Sequence, residues 1–224
     1  MNKVSVIIPT VQKNLVVLKS LLNILISDTA VDEILVINNI KKELNISLDK
    51  VRVLQQKRNL YVNASWNLGV KVAKNDIFLI INDDILPCRN LCSTICDIKV
   101  LDNEKVGLIG INNAFIKQRA KDTKELEEPS PKGDMMFTEV KHYFSTGDWG
   151  SAFFGRKRSY YKIPSDLKII FGDNYLLYKN NKDGKNNYAI CNFYFNHIHS
   201  LSSSSPEFRE IIKKDIENFK KYFD

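Results

Sequence analysis

The run Ile77-Phe78-Leu79-Ile80-Ile81 has no polar position, and it breaks off at once into Asn82-Asp83-Asp84. A strand with one wet face alternates apolar and polar residues. A strand that is apolar throughout must be covered on both sides, as in the centre of a parallel sheet flanked by helices. Just upstream, Val62, Trp66, Val70 and Ala73 recur at three- and four-residue steps, so Asn59 to Pro87 reads as helix, buried strand and acidic tip. Open α/β sheets bind ligands beyond the carboxyl ends of their strands. Neighbouring carboxylates in that position are costly unless a cation or hydrogen-bond donors neutralise them. Taken alone, Asn-Asp-Asp is equally good chemistry for a plain surface turn.

The flanking chain supports the sheet. Val4 to Ile8 is a first strand closed by Pro9-Thr10, and Leu15 to Ile26 carries helix-period apolar positions. Glu33 to Ile37 and Val51 to Leu54 are further strands. The alternation predicts an α/β fold with a mostly parallel sheet and right-handed crossovers. A helix is expected from Asn90 to Lys99 and a strand from Val106 to Ile111. Asn112 to Lys141 is polar, with no clear core face, and reads as a long mobile excursion or a plain disordered loop. Lys182-Asp183-Gly184-Lys185 has hairpin-turn chemistry, and Tyr188 to Phe195 reads as one strand. Ser202 to Ser205 reads as a linker. Pro206 opens a last helix whose apolar stripe is Phe208, Ile211, Ile212, Ile216, Phe219 and Phe223.

At 224 residues the chain has the size of one generous domain. The net charge of +7 raises nucleic acid or an anionic membrane as partners. The basic residues are scattered, Arg156-Lys157-Arg158 being the one dense run, and no aromatic-basic interleaving accompanies them, so no nucleic-acid partner is expected. The last helix, lysine-lined, packs on the domain or docks on a membrane surface or a neighbouring module. The start leads straight into a strand and no apolar run is long enough to span a bilayer, so a soluble cytoplasmic protein, at most membrane-peripheral, is expected. Four cysteines fit that compartment as free thiols, and Cys88, Cys92 and Cys96 match no common ligand spacing.

Asn59-x7-Asn67-x-Gly69, the helix, the buried strand and the acidic triplet together resemble the core of inverting GT-A glycosyltransferases of the family 2 type. The resemblance is specific in this block and thinner from Val4 to about Ser203. It implies a GT-A sheet, a small antiparallel acceptor-side portion, and a nucleotide pocket framed by Pro9, Thr10, Asn38 and Asp83. Tyr61 stands where the family has a glycine, and either stacks on the nucleotide or fills core. By position Asp84 binds a divalent cation, Mn²⁺ or Mg²⁺, whose preference for oxygen ligands suits a diphosphate. His197 or His199 completes the coordination, or both face solvent. Asp148 and Trp149 match the acceptor segment, though Trp149 also reads as core. Asp173 is the matched general base, or a helix N-cap. Arg156 or Lys157 would offset diphosphate charge, or be solvated. Asn59 and Asn67 are expected to tie loops together rather than touch ligand.

The resulting expectation is a metal-dependent inverting transferase. It would move a sugar from a nucleoside-diphosphate sugar, a UDP-sugar first among them, to a hydroxyl of a glycan or glycoconjugate. Residues 1–205 would form the transferase domain, with a nucleotide half to about 111 and an acceptor half from about 142, and 206–224 a C-terminal amphipathic helix. Two other readings stay open: a catalytically silent nucleotide- or carbohydrate-binding module, which the amides at Asn38 and Asn82 keep alive, and a sugar nucleotidyltransferase. Against the latter, the Thr10 to Asn14 loop has no glycine.

Overall fold

The computed structural model describes residues 2–119, 128–141, 149–198 and 206–222. The chain begins with β1 (Val4–Thr10), α1 (Leu15–Ser27), β2 (Val31–Asn38), β3 (Val51–Gln55), α2 (Tyr61–Val72) and β4 (Ile77–Ile81). Next come β5 (Ile85–Pro87), α3 (Leu91–Ile98), β6 (Val106–Ile111), β7 (Ile116–Arg119) and β8 (Met136–Glu139). The remainder is β9 (Ala152–Arg156), α4 (Gly172–Lys182), β10 (Asn186–Cys191), β11 (Phe195–Ile198) and α5 (Pro206–Phe219). Among the described residues, the main sheet has the order β3-β2-β1-β4-β9-β6-β10-β8, and only β9 and β8 run antiparallel to their neighbours. This is the expected α/β architecture.

The chain moves outward from β1 to β2 and β3, then returns to lay β4 on the other side of β1. The strand order therefore reverses between β1 and β4, which opens a crevice at their carboxyl ends. β4 is covered on both faces, as its unbroken apolar run requires. Ile77, Leu79 and Ile81 pack with α1 and α3 residues on one side, and Phe78 and Ile80 with Trp66, Leu176 and Leu177 on the other. Each such side chain contributes roughly 1.5–3 kcal/mol relative to exposure, so the strand gives the acidic tip a rigid base. Asn14 caps α1 by accepting the Val17 N–H at 3.1 Å. Gly69 lets α2 lie directly on β1, since a Cβ there would sit 2.3 Å from Ile7 Cγ2.

Three expectations change. The Asp183-Gly184 turn is not a hairpin: it ends α4, and β10 beyond it pairs parallel with β6. Gly184, at φ 71°, and Lys185 donate to the carbonyls of Asn181 and Asn180, a Schellman ending that uses the same residues as a hairpin turn. The single strand expected from Tyr188 to Phe195 is two, in different sheets, broken at Asn192 with φ 66°. The polar excursion contains β7 and β8, which backbone pairing holds at sheet edges although β8 is largely exposed. The expected smaller sheet is present: β5 follows the acidic triplet immediately and pairs antiparallel with β11, whose other edge pairs parallel with β7.

The last helix packs on the domain. Phe219 stacks on Phe171 with ring centroids 3.9 Å apart, and buried Asp215 accepts the backbone N–H groups of Lys168, Ile169 and Ile170 at 2.9, 2.7 and 3.0 Å. Among the described residues no helix is long and apolar enough to cross a membrane. All four cysteines are free, with Cys88, Cys92 and Cys96 buried.

Candidate active site

The crevice at the β1/β4 reversal holds a cavity of about 120 Å³. Thr10, at the tip of β1, donates its hydroxyl to Asp83 Oδ2 at 2.6 Å, which joins the two strand ends across the crevice. Burial pushes the Asp83 carboxyl up to about 7; the Thr10 bond opposes the rise and the neighbouring Asp84 charge adds to it. Pro9, Val11, Tyr61, Val62 and Phe208 give the cavity its apolar lining, and Thr10, Asn59, Asn82, Asp83 and Asp84 much of its polar lining.

Asp84 is only 9% exposed. Its Oδ2 lies 3.5 Å from His197 Nε2, while its buried Oδ1 has no hydrogen-bond partner among the described residues. The small sheet creates this pairing. β5 and β11 run antiparallel with His197 opposite Ile85, and the Ile198 N–H donates to the Asp84 carbonyl at 2.8 Å. A buried carboxylate oxygen with no donor, next to an imidazole, fits a hard divalent cation whose other ligands come from phosphate and water. Among the described residues there is no group of three or more potential ligands. His199 lies outside the described residues, as does Asp148.

Asp173 stands in the first turn of α4 and is partly buried. It is not the N-cap, which is Phe171 at φ 63°. Desolvation raises its carboxyl to about 6, against the pull of the backbone N–H groups of Asn174, Asp173 itself and Gly150. The carboxylate is pressed against Gly150, where a Cβ would lie 2.5 Å from Oδ2. The next residue, Ser151, accepts the Asn82 N–H at 2.9 Å. Asp173 and the acidic triplet thus meet the same short backbone segment at the same end of the sheet.

Four expected site residues are used elsewhere. Asn38 is fully buried and its amide is engaged within the protein, donating to Gln55 Oε1 (2.6 Å) and the Lys42 carbonyl (2.8 Å) and accepting from Gln12 (3.2 Å). Its neighbour Asn39 reaches the cavity instead, but that amide holds Ser65 and the Leu60 N–H. Trp149 is 2% exposed, stacked on Phe153 at 5.3 Å, with its N–H donated to the Tyr188 carbonyl. It is core, without an open face for a sugar. Arg156 pairs with Asp76 and Asp102. β9 runs antiparallel to β4, so Arg156 lies opposite Ile77 and Ala152 opposite Ile81, which puts Arg156 about 13 Å from the triplet at ~3.3 Å per residue. Lys157 is tied to the Ala73 carbonyl.

Tyr61 does reach the cavity, and its φ of 62° is left-handed backbone that strains an aromatic residue and would suit a glycine. Asn67 is a loop tie, bonded to Ile163 and Tyr160. Phe208 is the residue that sequence reasoning missed. On an amphipathic helix it has the same spacing as core positions, so no local signal separates it from them.

Residues 5–163 match the model of one protein family, described as glycosyl transferase family 2. No curated protein matches the chain. Among solved structures, GalNAc-T7 with UDP, GalNAc and Mn²⁺ superposes with a TM-score of 0.69 at 14% identity, over 95% of this chain and 48% of that one. Staphylococcus aureus TarS 1-349 in complex with UDP gives 0.60 at 15% identity, over 95% and 64%. The similarity is one of fold, the GT-A fold, and this chain spans about half the length of the first and under two thirds of the second.

Proposed function

Because this chain belongs to glycosyl transferase family 2, we propose that it moves a sugar from a nucleoside-diphosphate sugar to a hydroxyl of a glycan or glycoconjugate, with inversion and with a divalent cation. The observation that carries the reading is the crevice at the strand reversal, where Thr10 is bonded to Asp83 and Asp84 presents a donorless buried oxygen beside His197. The UDP in GalNAc-T7 and TarS and the Mn²⁺ in GalNAc-T7 favour a UDP-sugar and Mn²⁺ over other donors and cations.

In this reading Pro9, Thr10 and Tyr61 hold the nucleoside, Asp83 takes the ribose, and Asp84 with His197 holds the cation. A divalent cation, when bound, offsets charge on the departing diphosphate. Asp173 accepts the proton of the acceptor hydroxyl as its oxygen bonds to the anomeric carbon. The bond from that carbon to the diphosphate oxygen breaks on the opposite face, and its electron pair leaves with the nucleoside diphosphate. Desolvation suits Asp173 to this task, because a carboxyl at about 6 is a stronger base than an ordinary one at 3.8 and is still ionised near neutral pH.

The test is a thermal-shift series with nucleoside diphosphates, with and without Mn²⁺, on wild type and Asp84→Asn, paired with an assay for UDP release from UDP-sugars. A ligand at 100 times its Kd stabilises by about 2.7 kcal/mol, roughly 5–10 °C for a domain of this size. Asp84→Asn is expected to fold normally and lose the Mn²⁺-dependent part of the shift. An unchanged shift would mean the cation is elsewhere. Nucleotide binding without any UDP release, given acceptors and Mn²⁺, would mark a silent binding module.

A further inference from the structure

We propose that the C-terminal helix is part of the donor site, with Phe208 and Tyr61 forming the wall on which the nucleobase packs; this rests on the donor reading above. The cavity lining combines the two kinds of surface that a nucleoside diphosphate presents. Its carboxylates, Asp83 and Asp84, match a charged diphosphate with its cation, and its aromatic and aliphatic side chains match a planar base with weakly polar faces. Phe208 meets Tyr61 edge to face, with ring centroids 6.4 Å apart and an interplanar angle of 72°, and both rings line the cavity.

The asparagines at the end of β2 offer the base little, although Asn59 and Asn82 also line the cavity. The Asn38 amide is engaged by Gln12, Lys42 and Gln55, and the Asn39 amide by Ser65 and Leu60, so hydrogen bonding from this pair is already committed. Packing on aromatic faces then carries the part of the contact that falls to α5, and such stacking tolerates any base. α5 is held firmly enough to serve as a wall. Asp215 takes three backbone N–H groups of the 168–170 segment, Asn218 donates to the Asp166 carbonyl at 2.9 Å, and Phe219 stacks on Phe171. Lys168 Nζ also sits 5.4 Å from the Tyr61 ring centroid, which ties the same segment to the wall.

The test is calorimetric titration of the full chain in Mn²⁺ with two probes, UDP and inorganic pyrophosphate. Variants are Phe208→Ala and Tyr61→Gly. The second removes a ring while relieving left-handed backbone, so it keeps the fold even if Phe208→Ala loosens the helix. Each variant is expected to weaken UDP about tenfold, in the range for loss of one base–aromatic contact, and to leave pyrophosphate affinity unchanged. Equal losses for both probes would make the rings structural and overturn the inference. Unchanged or tighter UDP binding in the variants, with wild type binding UDP, would overturn it while sparing the donor reading. If wild type binds pyrophosphate but no UDP in Mn²⁺, both fall.

Discussion

Asp215→Ala tests how far the C-terminal helix organises the site. The Asp215 carboxylate is fully buried and accepts the N–H groups of Lys168, Ile169 and Ile170 at 2.9, 2.7 and 3.0 Å. A hydrogen bond to a charged group is worth about 1.5–3 kcal/mol, so three would total about 5–9 kcal/mol if they were independent. They share two oxygens, and the donors belong to residues that are partly or fully exposed, so water replaces some of the loss. The expected net destabilisation is roughly 3–4 kcal/mol. At about 2–4 °C per kcal/mol, Tm should fall by about 10 °C. Urea unfolding should show a lower midpoint with an unchanged slope, and Asp49→Ala, at an exposed position, should stay within about 0.5 kcal/mol of wild type. Asp215→Asn should lie between, since it keeps one acceptor oxygen but turns an N–H₂ group toward a donor. The segment released leads directly into Asp173, so transfer rate should fall more than UDP affinity. A loss under about 1 kcal/mol would refute the reasoning, because it would mean that the three donors find equal partners in water.

Asp173→Asn should spare UDP binding and stop transfer; retained turnover would remove it as the base. In wild type kcat/KM should drop below about pH 6, where the Asp173 carboxyl becomes protonated. Its folded value lies above the ordinary 3.8, so the folded state holds the extra proton between the two, and the stability contribution is lost as pH rises from 3.8 to about 6. Asp173→Asn should therefore gain stability relative to wild type across that window, measured by urea unfolding at pH 4 and pH 8. Gly110→Ala would place a Cβ 2.1 Å from Trp149 Cε2 inside the core, and should cost about 3 kcal/mol in thermal denaturation. A neutral result would mean that the indole moves freely, against its core assignment.

Much of the nucleotide half is legible because its signals are local. The unbroken Ile77 to Ile81 run, the α1 stripe behind Asn14 and the acidic triplet each declare themselves within a dozen residues. The acceptor half is harder. Asp183-Gly184 serves a helix ending as well as a hairpin, and nothing around Asn192 announces that the chain leaves one sheet for another. β7 and β8 carry polar residues because they lie at edges, where pairing is through backbone that side chains do not advertise.

By itself the sequence determined which faces are apolar, and from them the α/β layering, the central strand and the carboxylates at its tip. Only the tertiary structure decided what each face meets. It withdrew Asn38 behind Gln12 and Gln55, sank Trp149 onto Phe153, carried Arg156 to the far end of β4, and brought His197 to Asp84 and Phe208 to Tyr61. Periodicity along a chain records burial against something unspecified. The partner is chosen by strand order and register, and for His197 with Asp84 and Phe208 with Tyr61 the segments lie more than a hundred residues apart, so no local window contains both.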